Sequence, residues 1–268
     1  MARPAPQKRR PSSSLKPFYA VLGALALAGI VLLVLQLRKS GGTPATTLTP
    51  VVMSPEQLQR VPGISKGQPN APVVIMEFAD FQCPSCGDFA RFAEPLLQEW
   101  IDNGTVRFVY YDFPLVQIHR NAMLSARAGR CANEQGRFWP YHDRLYGQQQ
   151  SWAEQPNGKA ADMFIEYARL EGLDAGAFAE CLRSNRFQKE VSESYQFGTT
   201  MEVGGTPTLF INGKRMNQRP TNRAEWEELI RQEMGDAAPA AAPAAAAANA
   251  PSGDSALADT ATSDTVRR

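Results

Sequence analysis

Two cysteines, Cys83 and Cys86, stand two residues apart, just after the apolar run Val73-Val74-Ile75-Met76 and just before a helical pattern. This stretch constrains the fold more than any other. Behind the cysteines, Phe89, Phe92, Leu96, Leu97, Trp100 and Ile101 recur at helical spacing on one predicted face. A strand, then C-x-x-C, then a helix is a redox layout. The first N–H groups of a helix have no partner within it, and the positive end of its dipole lies there, so a sulfur at that position ionises readily. Cys83 is therefore the expected nucleophile, and Cys86, one turn on, the sulfur that closes the disulfide. Zinc is the competing use of a C-x-x-C, but a zinc site takes four ligands, usually as two close pairs. Cys131, Cys181, His119 and His142 supply no second pair, so neither metal nor cofactor is expected. An inert bridge over so short a loop would constrain little.

The 268 residues hold one domain of ordinary size with extensions. Of the 28 basic residues, seven (Arg3, Lys8, Arg9, Arg10, Lys16, Arg38, Lys39) precede the first acid, Glu56, leaving 21 against 27 acidic residues. The remainder is thus acidic and offers no surface suited to nucleic acid. Residues 18–37 carry no charge and are almost wholly apolar. As a helix they would cover about 30 Å, the thickness of a hydrocarbon core. They read as a membrane anchor. A cleaved signal peptide is the other reading, yet the cleavage-like Ala24-Leu25-Ala26 lies inside the apolar run. The excess of basic residues before the span places 1–17 in the cytoplasm and everything beyond Lys39 outside the bacterial inner membrane, in an oxidising compartment.

Residues 38–68, rich in Gly, Thr, Pro and Gln, read as a tether, and 237–268, an Ala/Pro tract followed by small polar residues, as a disordered tail. The domain between them covers 69–236. Val106-Arg107-Phe108-Val109-Tyr110-Tyr111 is a second strand, and Pro95 should bend the helix that leads to it. From about 117 to 200 the pattern is helical, with Gly136 and Gly172 as helix ends and Asp174 as an N-cap. Strand character returns at Thr208-Leu209-Phe210-Ile211, followed by the hairpin signal Asn212-Gly213 and a closing helix with Asn222 and Glu225 spaced as a capping box.

Three stretches carry a resemblance: Glu77 to Cys86, Cys131 to Trp139, and Val203 to Gly213 with Gly205-Thr206-Pro207-Thr208 at its centre. In this order they are similar to the DsbA-type (DsbA/BdbD-like) thiol-disulfide oxidoreductases of the thioredoxin superfamily. The resemblance implies an α/β thioredoxin fold with an inserted helical domain, and a cis bond at Thr206–Pro207 facing the cysteines. It implies that Glu77 is a buried acid able to relay the proton of Cys86, and that Thr206 presents backbone to an extended substrate segment. Family members often carry a second cysteine pair, here Cys131 and Cys181, and an even cysteine count in an oxidising compartment favours pairing; two free buried thiols are the alternative. His119 and His142 fall outside the motif. The family's strong oxidants carry histidine where this chain has Ser85, so the Cys83 pKa should be less extreme than their value near 3.5.

The resulting expectation is a monomeric, membrane-anchored oxidoreductase that gives the Cys83–Cys86 disulfide to exported proteins with free thiols. A membrane redox partner of the DsbB or vitamin-K-epoxide-reductase (VKOR) type would recharge it. A reductase or isomerase of the same fold, and a non-enzymatic thioredoxin-like binding module, are the rival readings; residues 41–70 are too short and polar for the dimerisation domain that isomerases carry.

Overall fold

The computed structural model describes residues 16–39, 46–51 and 61–235. The basic segment before Lys16, the tail 237–268 and much of the 38–68 stretch lie outside the described residues. The helix α1, Lys16–Lys39, contains the apolar run and belongs to a unit of its own. Among the described residues no helix is long and apolar enough to cross a membrane.

Among the described residues of the second unit, six strands form one sheet in the order β1-β6-β5-β3-β4-β2. They are β1 Leu48–Pro50, β2 Ile64–Lys66, β3 Val73–Ala79, β4 Val106–Asp112, β5 Thr208–Ile211 and β6 Lys214–Met216. β3 and β4 run parallel, and every other pair is antiparallel. Two of these strands correct the sequence reading. β1 and β2 lie in the stretch taken for a tether, and with three residues each they are too short to show a period of two; their pairing comes from the sheet they join, not from their own pattern.

The central strand β3 is buried on both faces, as its unbroken apolar run requires. Successive side chains alternate between faces. Val73 and Ile75 meet Phe89, Leu97, Phe108 and Trp226 on one side, while Met76 and Phe78 meet Tyr111, Phe197 and Phe210 on the other. By the same alternation Glu77 lies on the Val73 and Ile75 side, where the register sets it beside Tyr110.

The helix after the cysteines is α2, Pro84–Asp88, and it does not continue as a regular helix. It passes through a π turn, Phe89–Ala93, and a 3-10 turn, Glu94–Leu97, before α3, Gln98–Asp102. Pro95 cannot donate within the helix, and the bend falls there, as expected. The extra residue of the π turn rotates the apolar stripe. Phe92, expected on the buried face, is 71% exposed, whereas Phe89, Leu97 and Ile101 are buried.

The insertion between β4 and β5 consists of α4 Ala122–Glu134, α5 Phe138–Gly147, α6 Gln149–Trp152, α7 Asn157–Leu170, α8 Ala175–Arg183 and α9 Gln188–Thr200. Gly136 and Gly172, both at positive φ, follow the ends of α4 and α7, and the Asp174 carboxylate accepts the N–H of Gly176 and Ala177 to start α8. A buried ion pair, Arg130 Nε to Asp112 Oδ2 at 2.6 Å, ties α4 to β4. The hairpin turn Asn212-Gly213 has positive φ at both residues. In the last helix, α10 Arg223–Gly235, Asn222 caps the Glu225 N–H, but the Glu225 carboxylate reaches back to Thr221 and not to Asn222. The whole is the α/β fold with inserted helical domain that the resemblance implies.

Candidate active site

Cys83 is the residue immediately before α2. Its extended backbone (φ −69°, ψ 122°) makes it the N-cap, with Pro84 filling the first helical position, where a missing N–H costs nothing. The turn that presents it is held from behind. The Cys83 N–H donates to Asp80 O, and the Gln82 N–H donates to the Asp80 carboxylate at 2.8 Å. The other Asp80 oxygen takes the Leu115 N–H at 2.9 Å and lies 2.7 Å from His119 Nδ1. Asp80 therefore fastens the cysteine turn to the loop after β4, and His119, outside the sequence motif, is its partner. Their separation of 39 positions in the sequence hid that pairing.

A second anchor also went unread in the sequence. The buried Gln149 amide, at the start of α6, donates to Phe81 O at 2.7 Å and to Cys83 O at 2.8 Å. It links the insertion directly to the cysteine turn, and a lone glutamine in a helical stretch carries no signal of such a role.

Both C-x-x-C cysteines are free thiols. Cys83 is the less buried, at 7% exposed against 0% for Cys86. The Cys83 thiol donates to Thr206 O at 3.3 Å, across the cis Thr206–Pro207 bond that the other side of the site contributes. Once ionised, Cys83 becomes an acceptor. The Cys86 thiol is its strongest partner, ahead of the Thr206 hydroxyl and the N–H groups of Cys86 and Ser85; against the opposing effect of burial these bring its pKa from 9.0 down to about 5. That falls between about 7 for thioredoxin and about 3.5 for the strongest oxidants. Ser85 contributes through its backbone.

Cys86 behaves in the opposite way. Burial first, then its hydrogen bond to Cys83 and the charges of Glu77 and Cys83, hold its pKa well above 9.0. At neutral pH the pair is one thiolate and one thiol. Glu77 is 1% exposed, and neither of its carboxylate oxygens has a hydrogen-bond partner. Burial, reinforced by Glu94, pushes its pKa well above 4.5.

Cys131 and Cys181 are joined as a disulfide between α4 and α8, with Cα atoms 5.9 Å apart. His142 is fully buried among the rings of Phe81, Tyr110, Phe138, Trp139 and Tyr146. Among the described residues no group of three or more His, Cys, Asp or Glu side chains could hold a metal ion.

A thioredoxin family model matches residues 59–232. The probable disulfide bond formation protein D of Bacillus cereus is 30% identical over 156 residues, which make up 57% of this chain and 71% of that protein. The Na(+)/H(+) antiporter NhaA 3 of Salinispora tropica is 37% identical over 151 residues, 56% of this chain, but the chain spans only 22% of the antiporter's length. In three dimensions, oxidised BdbD from Bacillus subtilis superposes with a TM-score of 0.59 at 24% identity, covering 72% of this chain and all of that one.

Proposed function

The chain belongs to the thioredoxin family, in its DsbA/BdbD group, and on that premise we propose that it is a thiol-disulfide oxidoreductase that donates the Cys83–Cys86 disulfide to exported proteins. The observation that carries the direction of transfer is the unequal pair of sulfurs. A Cys83 thiolate supported by Cys86, Thr206 and backbone N–H groups stabilises the dithiol form, and whatever stabilises the dithiol makes the disulfide more oxidising. In the donating step a client thiolate attacks Cys83, and Cys86 leaves and takes up a proton. Glu77, buried and electrostatically coupled to Cys86, is the group we assign to supply it. Thr206 and Pro207 offer backbone against which an extended client segment can lie.

Equilibrating the protein with glutathione buffers and trapping the thiols tests this reading. We expect a reduction potential above about −200 mV, that of a disulfide donor; a value near −270 mV, that of thioredoxin, would make the protein a reductase.

Anchoring is proposed from the sequence of 18–37, with 1–17 cytoplasmic and the catalytic domain outside, and so is recharging by a membrane partner of the DsbB or VKOR type. The full chain should stay with membranes under alkaline carbonate extraction, while a chain starting after Lys39 should be released. Release of both would remove the anchor.

A further inference from the structure

The Cys83 carbonyl is shared between the helix it starts and the inserted domain. The Cys86 and Gly87 N–H groups donate to it at 3.1 Å, as the first turn of α2 requires, and the Gln149 amide donates to it at 2.8 Å. A carbonyl oxygen has two lone pairs, so these donors compete. The outcome matters to the sulfur of the same residue, because the Cys86 N–H is also one of the groups that support the Cys83 thiolate. The shorter bond from Gln149 occupies the carbonyl and leaves that N–H to the sulfur.

Gln149 is fixed in this place. It is buried at the first position of α6, and its Nε2 also donates to Phe81 O at 2.7 Å. The turn after α6 is held in its own right to the residue before Cys83. The Gln82 amide nitrogen donates to Ala153 O at 2.7 Å, and the Gln82 amide oxygen accepts the Asn121 N–H at 2.7 Å. The buried Asn121 amide then donates to Ala153 O at 3.0 Å and to Gln155 O at 2.8 Å. Gln82, Asn121 and Gln149 thus clamp the insertion to the cysteine turn. None of the three carries a charge, so the clamp is unchanged across the pH range in which Cys83 titrates. Gly87 shows how closely it is fitted: a Cβ there would lie 2.8 Å from Gln149 Oε1 and 3.0 Å from Arg91 Nη1.

We propose that Gln149 is a positioning residue for Cys83: by occupying the Cys83 carbonyl it leaves the Cys86 N–H to the sulfur, so that the helical insertion sets how strongly the Cys83–Cys86 disulfide oxidises. This deepens the function proposed above and rests on it. Gln149 acts through the backbone of the nucleophile and takes no part in the exchange of sulfurs.

The test is a pH titration of the thiolate absorbance of the reduced full-length protein, with its equilibrium against glutathione buffers at pH 7 measured beside it. Gln149→Met keeps the length of the side chain and removes the donor. Its midpoint should rise from about 5 by about one pH unit, the weight of one hydrogen bond to a charged group. At pH 7 the thiolate then stabilises the dithiol about tenfold less, and the potential should fall by about 30 mV. Gly87→Ala keeps the amide but displaces it with the new Cβ, in a helix that alanine otherwise favours, and should move both values the same way by less. It decides the matter where Gln149→Met does not fold. Tyr141→Phe, which removes a buried bond to Phe164 O within the insertion, should lower stability and move neither value. If Gln149→Met, or Gly87→Ala in its stead, leaves the midpoint in place or lowers it, or if Tyr141→Phe raises it as far, the role of Gln149 is overturned, and a wild type in the donor range still upholds the proposed function. If the variants move the midpoint as expected while the wild type is poised like thioredoxin, the positioning role stands and the direction of transfer falls.

Discussion

Cys83→Ser is expected to reduce disulfide transfer to the uncatalysed rate, measured as oxidation of a reduced model protein by the preoxidised enzyme. Serine can form no disulfide, and its hydroxyl has no counterpart to the thiolate, so nothing in the site replaces the nucleophile. The same variant should lose the ultraviolet thiolate absorbance that titrates in the reduced wild type with a midpoint of about 5. Cys86→Ala should keep that signal but move it to higher pH, because the Cys86 thiol is the largest contributor to the shift, and it should accumulate mixed disulfides it cannot resolve. The pH dependence of stability has a definite sign. The folded Cys83 pKa is depressed from 9.0, so its contribution to the stability of the reduced form is fully present above pH 9 and is lost as pH falls toward about 5. The oxidised form lacks this dependence. A thiolate absorbance with a midpoint of about 5 that survives in Cys83→Ser and is lost in Cys86→Ala would reverse the two roles.

Removing the bridge between α4 and α8 should give the largest loss of stability. Cys131→Ala with Cys181→Ala opens a link between residues 50 apart in sequence, and the chain-entropy model sets the cost at about 4 kcal/mol. That is a sizeable part of the roughly 5–15 kcal/mol that holds a domain folded. Both sulfurs are buried, at 1% and 2% exposed, among Tyr141, Phe164 and Phe178, so the alanines also leave space in the core. Chemical denaturation of the oxidised wild type against the double variant measures the difference. A difference within about 1 kcal/mol would mean that the helical insertion closes without the bridge and that the unfolded state already keeps these helices near each other.

The strand, C-x-x-C and helix order was legible because an apolar run, a cysteine spacing and a helical stripe coincide within thirty residues. Pro95, Asp174, Gly136, Gly172 and Asn212-Gly213 were legible for the same local reason, since each acts on backbone within a few positions. What could not be read depends on distance or on neighbours. β1 and β2 are strands only because β6 and β4 offer them partners. Phe92 is exposed because it lies inside a single π turn, where the 3.6-residue pattern fails, and that pattern carries no warning of it. Asp80 with His119, Gln149 with the carbonyl of Cys83, and Glu94 with Lys66 and His142 join residues from 28 to 66 positions apart. Each of these residues alone is an unremarkable polar side chain in the sequence. Glu77 was legible only by resemblance; its burial follows from the alternation along β3, which points an acid into an apolar layer.

The two outermost strands of the sheet bear on how this protein meets unfolded chains. On the proposed function, client segments that lie extended beside Thr206 would pair as readily with any other open row of backbone groups. β1 and β2 leave almost no such row. Each is three residues long; one ends in Pro50, which has no N–H to offer, and the other in Lys66, whose charge is drawn inward to Glu94. A client of the proposed kind would then meet Cys83 with its sulfur and find little to pair with along the margins of the sheet.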